Sequence, residues 1–505
     1  MAFCRADFLD DVFYNIDEGE YVVAADALGH GWLPGLDLLG SSKTPAIAFL
    51  CYTLFHLFGR SLAVIHVAQL VMVIATGLLV IEIARRWWGA KALIPAALLF
   101  WIASNSFSLP QRVLSLNVES PGLLFAVLAL WLLLTRVDSV ASALAAGVTL
   151  GIAVMFRQSF VFFLIPAFYL ANASERRWRA LRLVGAGIAG SWLLLLVPYA
   201  VRGGLGWAFD SWVRYPLDYA SDIGLTGYFE ALWLNSIEFA QREWPVLLLA
   251  LIGAVVLWRD RKILRGKFLF LLAMGSFLAL SSGSRFTGQY WIQTYPALAL
   301  FAVAGWMSLA ARRKILRMGL VALVAVGALL SLGHFPFWRV WDPSVPPKGI
   351  SPYALGEDQA ERLAGDFAKQ RTGPDDTILV WGYCPQIYYH AHRLPGVRDY
   401  IMHYVTGFSP GAFRPLEERA PRSSGHLRAQ EMFLDDLTGR RPQYIFDLSD
   451  ISSGEFTFVQ YPITFYPPIA AYVRANYAPD TVLSGVLVYR LKSPLSNLPA
   501  SSEQL

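Results

Sequence analysis

Residues 61–84 read SLAVIHVAQLVMVIATGLLVIEIA and are followed at once by Arg85 and Arg86. A helix needs roughly 20 apolar residues, and about 17 suffice, to cross the hydrocarbon of a bilayer. This run meets that length, and it is the first of a series. Further spans are read at 92–108, 119–135, 139–156, 159–173, 183–200, 244–258, 268–283, 291–310 and 318–335, about ten in all. The runs at 159–173 and 244–258 are short, as in tilted or re-entrant segments. These runs explain why 55% of the 505 residues are apolar or aromatic, when soluble domains stay near about 45–50%. The fold class is therefore a polytopic α-helical membrane protein.

Charge sets the expected orientation. Basic residues follow every second span: Arg85, Arg86 and Lys91; Arg136; Arg176, Arg177, Arg179 and Arg182; Arg259, Arg261, Lys262, Arg265 and Lys267; Arg312, Arg313, Lys314 and Arg317. Basic loops stay cytoplasmic. The alternate loops then face outward, with residues 1–45 and everything past 336. On this reading Asp17, Glu18, Lys43, Arg112, Glu119, Arg157 and Arg285 all lie at one outer surface of the cell membrane. An outward start needs a preceding helix or signal. Met1–Asn15 holds Arg5, Asp7, Asp10 and Asp11 and no apolar core, so a helix upstream is expected. The net charge of +5 is spread over short loops, and no nucleic-acid partner is expected. Three cysteines are too few for a disulfide framework, and Cys4, Cys51 and Cys384 are read as free thiols.

Three domains follow. Residues 1–336 form a transmembrane catalytic part, 337–356 a Pro-rich linker, and 357–505 an extracytoplasmic α/β domain. In the first, residues 17–28 are read as a helix capped by Asn15 or Asp17, residues 44–58 as an interfacial helix, and 201–243 as a long outer loop with one or two such helices. In the last, helices at 357–371, 426–439 and 469–477 alternate with strands at 377–381 and 443–447 and a strand or hairpin at 482–491.

The outer face has no nucleotide pool, so a transferase working there needs its activated group on a lipid carrier. Such an enzyme needs a carboxylate to take the acceptor proton, cations or a metal to hold the departing phosphate, and an apolar groove. Asp17 and Glu18, in Asn15-Ile16-Asp17-Glu18-Gly19-Glu20-Tyr21, are candidates for the base and its orienting partner, or else helix-capping acids. Lys43, before Thr44-Pro45, is either a phosphate contact or an interfacial anchor. Glu119, opening the third span, is a second acid of the site or a first-turn acid facing the helix dipole. Arg157 and Arg285 are phosphate clamps or anchors. His390 and His392 would share one side if they lay on a strand, but they have no second pair at zinc-site spacing.

With these residues placed, the chain resembles the GT-C-fold glycosyltransferases that use polyprenyl-phosphate sugars, among them bacterial relatives of protein O-mannosyltransferase and lipid A aminoarabinose transferase. The resemblance rests on Asp17-Glu18-Gly19-Glu20-Tyr21, Lys43-Thr44-Pro45, Leu57-Phe58-Gly59 and Glu119-Ser120-Pro121. It continues in Phe156-Arg157-Gln158, Gln289-Tyr290-Trp291-Ile292-Gln293, Val380-Trp381-Gly382-Tyr383 and Ile387-Tyr388-Tyr389. Ser42 stands where some relatives carry an acid. The resemblance implies Asp17 as the catalytic carboxylate, Lys43 as a donor-phosphate contact and Glu119 as a second acidic ligand; with Glu18 as the partner read beside Asp17, the expected catalytic residues are Asp17, Glu18 and Glu119. Lys43, Arg157, Arg285, Tyr21 and Tyr290 are then substrate-binding, and Asp17 and Glu119 are ligands for a divalent ion such as Mg, Mn or Zn. It also implies a polyprenyl-phosphate-linked sugar donor, a glycan, lipid or protein acceptor, and membrane lipids around the spans. A transporter or flippase for a lipid-linked saccharide is the alternative, and it would place its ionisable groups at the bilayer midplane. A non-enzymatic scaffold would need no convergence of Asp17, Lys43 and Glu119.

Overall fold

The computed structural model describes residues 9, 11–39, 43–105, 115–221, 223–259, 263–311, 314–332, 358–407, 424–449 and 458–492. Cys4, Ser42, Arg112, Arg261, Lys262, Arg312, Arg313 and the linker at 337–356 lie outside them. The chain divides into two units, Met1–Asp37 with Ser41–Leu355, and Leu38–Gly40 with Gly356–Leu505.

The first unit is helical. It opens with α1 (Ile16–Gly29), α2 (Ala46–Phe58), α3 (Leu62–Trp88), α4 (Leu93–Ala103), α5 (Glu119–Arg136) and α6 (Val140–Phe156). A 3-10 turn at Gln158–Phe163 leads into α7 (Leu164–Asn172) and α8 (Arg177–Val201). Short helices α9 (Leu205–Phe209) and α10 (Tyr215–Ser221) precede α11 (Gly224–Arg259) and α12 (Leu264–Ser281). A second 3-10 turn, Gly288–Thr294, runs into α13 (Tyr295–Ala310), and α14 (Lys314–Leu332) closes the unit.

Among the described residues six helices are long and apolar enough to cross a membrane: α3, α5, α8, α11, α12, and the 3-10 turn with α13 taken together. The protein is thus a multi-pass membrane protein. The other expected spans, at 92–108, 139–156, 159–173 and 318–335, coincide with shorter apolar helices. The expected loop at 201–243 needs correction in its second half. Residues 224–243 are the first turns of α11, which continues unbroken through Pro245 into the apolar run. Its 36 residues measure about 54 Å at 1.5 Å per residue, far more than a bilayer's hydrocarbon needs.

Helices α11 and α13 pack along their length. Phe239 stacks on Trp291 with centroids 4.2 Å apart. Farther along, a side chain at Gly253 would run into the Phe301 carbonyl, and one at Gly305 into that of Leu249. From the first contact to the second, residue numbers rise along both segments, from Phe239 to Gly253 and from Trp291 to Phe301, so the two helices run parallel. The paired glycines permit backbone approach of the kind that small residues provide in membranes.

In the second unit, β1 (Ile378–Trp381) and β2 (Tyr444–Asp447) pair in parallel, with Ile378 opposite Tyr444 and Trp381 opposite Asp447. The sheet order is β1-β2-β4-β3, with β3 (Tyr477–Leu483) and β4 (Val486–Leu491) antiparallel. Both parallel strands are buried at every residue, as expected where both faces are covered. The hairpin turns at Ser484 and Gly485, each with positive φ, as a two-residue hairpin loop of this hand requires. Helices at Asp358–Arg371, Ser424–Arg440 and Pro467–Asn476 complete the α/β pattern. Trp381 is wholly buried among Phe433, Phe458 and Tyr466, and its indole donates to the Tyr461 carbonyl at 2.8 Å. The H-x-H pair does not lie on a strand. His390 lies in a helical turn, Gln386–Ala391, and His392 is its left-handed cap, so the two imidazoles do not share a strand face.

Candidate active site

The acidic motif folds as a capped helix start. The Asn15 side chain accepts from the Asp17 amide at 3.2 Å, and Glu18, three residues past the cap, returns its carboxylate to the Asn15 amide at 3.4 Å. This is a capping box. It fixes the first turn of α1 and sends the two neighbouring acids to different places.

Asp17 remains partly open, its side chain 19% exposed. Lys43 Nζ donates to its Oδ1 at 3.1 Å and to Glu20 Oε2 at 3.2 Å. Asp17 and Glu20 are three residues apart, one above the other on a helix face, and Lys43 bridges them. Burial works against the Lys43 charge, but Asp17 and Glu20 outweigh it and hold the ammonium above its ordinary pKa. Lys43 is placed by its neighbour: the Thr44 hydroxyl donates to the Met155 carbonyl at the end of α6.

Glu18, expected among the catalytic residues, is sequestered. It is wholly buried, and both oxygens are occupied: Oε1 accepts from His66 Nε2 at 3.0 Å and the Leu116 amide at 2.8 Å, and Oε2 from the Tyr14 amide at 3.0 Å. A carboxylate so enclosed has no face for a substrate.

Glu119, at the first position of α5, is buried and pairs with Arg157. Arg157 caps α6 in extended backbone. Its Nε donates to Ser159 Oγ at 3.1 Å, and that hydroxyl donates to Gln293 Oε1 at 2.8 Å. The guanidinium lies 3.7 Å from the centre of the Tyr290 ring. Gly283 sits against the same pair: a Cβ there would stand 2.5 Å from Tyr290 Cε2 and 3.2 Å from Arg157 Nη2.

Arg285 is buried between Ser284 and Phe286, both left-handed at φ 58° and 52°, a region that residues other than glycine seldom enter. Such strain persists where the surroundings fix it. Here Phe286 is fully buried and Trp291 Nε1 donates to its carbonyl at 3.0 Å. The Arg285 guanidinium lies 4.1 Å from the Tyr219 ring centre, and Nη2 donates to the Tyr219 carbonyl at 3.4 Å. Lys43 stands 5.8 Å from the Tyr21 ring centre.

Three cations, Lys43, Arg157 and Arg285, thus each rest on a tyrosine ring. They share one electrostatic neighbourhood. The Tyr21 hydroxyl is raised by burial and then by Asp17 and Glu20, and lowered by Arg157. The Tyr219 hydroxyl is raised by burial and Tyr290, and lowered by Arg285 and Lys43. Asp17, Lys43, Arg157, Arg285, Tyr21 and Tyr290, scattered in sequence, therefore meet around one place, with Glu119 attached through Arg157.

The donor set does not fit a divalent ion shared by Asp17 and Glu119, because each carboxylate is already turned onto a cationic side chain. Among the described residues there is no group of three or more His, Cys, Asp or Glu side chains disposed to hold a metal.

Sequence reasoning missed Glu20, His66, Ser159 and Tyr219. Glu20 carried a signal in its three-residue spacing from Asp17. Tyr219 carried none, since nothing marks one tyrosine of the 201–243 loop above another.

By sequence, residues 42–201 match the family described as dolichyl-phosphate-mannose-protein mannosyltransferase. No curated protein matches the chain. By structure, the chain is similar to ArnT from Cupriavidus metallidurans bound to undecaprenyl phosphate, with TM-score 0.59 and 14% identity over 95% of this chain and 94% of that one. It is similar to the apo state of the same protein at TM-score 0.53, with 14% identity over the same shares. It is also similar to the oligosaccharyltransferase AglB from Archaeoglobus fulgidus, solved with an inhibitory peptide and a dolichol-phosphate. That match has TM-score 0.50 and 13% identity over 95% of this chain and 71% of that one. The fold of this chain, membrane helices followed by a small mixed sheet, is accordingly the GT-C fold that ArnT and AglB share.

Proposed function

We propose that the protein is an integral membrane glycosyltransferase that moves a sugar from a polyprenyl-phosphate carrier to an acceptor hydroxyl at the outer face of the cell membrane. The observation that carries this reading is the convergence of a partly open aspartate with three cations mounted on tyrosine rings. A phosphate leaving group needs the cations, and an attacking hydroxyl needs the aspartate.

In this reading Asp17 takes the acceptor proton while the acceptor oxygen bonds to the anomeric carbon. The bond from that carbon to the carrier phosphate breaks, and its electron pair leaves on the phosphate. Lys43, Arg157 and Arg285 hold the developing charge, fixed in advance where it appears. One displacement inverts the anomeric centre. Glu119 contributes by keeping Arg157 in place. Tyr21, Tyr219 and Tyr290 keep the cations from relaxing toward water. No step is routed through a metal ion.

The test begins with the carrier lipids of cells lacking the protein, where the unused polyprenyl-phosphate sugar should accumulate and be identifiable by mass. The purified protein in liposomes is then given that donor. Asp17→Asn should abolish transfer and leave donor binding and the folded state intact. Transfer at the native rate in that variant removes Asp17 as the base, and no accumulated carrier sugar removes the reading itself.

A further inference from the structure

Two polar side chains on one face of α3 hold the turn that presents Glu119. His66 Nε2 meets Glu18 Oε1 at 3.0 Å; the carboxylate oxygen only accepts, so the ring nitrogen donates. The same Oε1 accepts from the Leu116 amide at 2.8 Å. Three residues along α3, Gln69 Nε2 donates to Ser120 Oγ at 2.7 Å. Within the turn, Asn117 Oδ1 accepts from the Ser120 amide at 3.0 Å. Glu119 lies between the two clasps.

On its other side Glu18 is bonded to the backbone of Tyr14 and Asn15 and adjoins Asp17. The side chains of His66 and Glu18 are both wholly buried, and the His66 ring rests 5.1 Å from that of Tyr14. One carboxylate therefore ties three separate pieces of chain: the start of α1, the second turn of α3, and the approach to α5. A buried carboxylate that loses a donor is left with acceptor capacity that water cannot reach.

We propose that His66 is a positioning residue: acting through Glu18, it fixes Asp17 and the Glu119–Arg157 pair relative to one another. The proposal rests on the function given above for what that geometry serves, but the tether itself is independent of it. His66 meets Glu18 at Oε1 and rests near the Tyr14 ring, whereas Lys43 meets Asp17 at Oδ1. Removal of His66 should slow the chemical step by more than it weakens donor binding.

Two variants separate this from a merely structural histidine. His66→Gln brings an amide nitrogen to about the reach of Nε2, and His66→Asn falls short of it. In the full-length protein in liposomes, His66→Asn should lower kcat on the order of 10- to 100-fold, the cost of misplacing a reacting group by a fraction of an ångström to an ångström. KM for the lipid-linked donor should stay within about threefold, and His66→Gln should restore kcat to within about threefold of native. Hydrogen exchange over 14–18 and 115–118 reads the tether without reference to the reaction. It should rise in His66→Asn and stay native in His66→Gln. Asn and Gln variants that behave alike overturn the proposal. So does native exchange over 115–118 in His66→Asn, or exchange that rises throughout the protein in both variants. If the native protein transfers no sugar, the function is wrong and the exchange experiment alone decides the tether.

Discussion

Arg157→Lys tests whether the site needs a guanidinium or only a positive charge. Arg157 does three things at once: it pairs with Glu119, donates to Ser159 at 3.1 Å, and lies 3.7 Å from the centre of the Tyr290 ring. Lysine keeps the charge but not the planar fork. The lost hydrogen bond is worth about 1 kcal/mol. The weakened stacking is worth about 1 kcal/mol more, and the change from a two-pronged to a single phosphate contact adds a similar amount. Allowing for partial recovery by the ammonium, transition-state stabilisation falls by roughly 2–3 kcal/mol, a drop of about 30- to 150-fold in kcat/KM. The assay is the initial rate of sugar transfer from the lipid-linked donor in liposomes, with Glu119→Gln and the double variant measured beside it. Because the two side chains touch, their effects should be non-additive by about 0.5–3 kcal/mol. A lysine variant within threefold of native, or strictly additive effects, would refute the view that Glu119 and Arg157 act as a unit on the phosphate.

Two further outcomes are expected. Gly283→Ala places a methyl 2.5 Å from Tyr290 Cε2 and 3.2 Å from Arg157 Nη2. It should weaken donor binding several-fold in a direct binding measurement while leaving thermal unfolding nearly unchanged; unaltered binding would mean that the Tyr290–Arg157 stack is not part of the donor site. In the second unit, burial, partly offset by backbone amides of Val405, Tyr404 and His403 and reinforced by Asp436, raises the Asp399 carboxyl from 3.8 to about 7. A folded pKa above the unfolded one gives stability that is fully present below pH 3.8 and is lost as pH rises through about 7. The loss is roughly 4 kcal/mol for a shift of this size. Hydrogen exchange of β1 and β2 in the full chain should therefore quicken from pH 5 to 8 after correction for intrinsic rates. Asp399→Asn should flatten that dependence; an equally steep profile in the variant would assign it elsewhere.

Periodicity and hydropathy alone placed the helices and the alternating elements past residue 357, because a spanning helix and a buried strand are specified by local composition. Residues 378–381 are an apolar run of strand length and 444–447 one that ends in Asp447, and they pair as β1 and β2. The break at 201–243 was not legible. Whether residues 224–243 continue a helix depends on Phe239 stacking on Trp291 and on the Gly253–Gly305 crossing, contacts that no local pattern encodes.

The site divides in the same way. Sequence determined which residue types stand at the ends of spans and that a helix begins near Asp17, capped by Asn15 or Asp17; the structure showed that Asn15 and Glu18 form the cap. Sequence did not determine that Asp17 faces Lys43 while its neighbour Glu18 turns inward to His66 and the Leu116 amide, nor that Glu119 meets Arg157 and Arg285 meets Tyr219. Charge and polarity are properties of one residue and can be read along a chain. Pairing is a property of two residues that are distant in sequence, and only the packing of α1, α3, α5 and α6 with the 3-10 turns beside them brings the partners together.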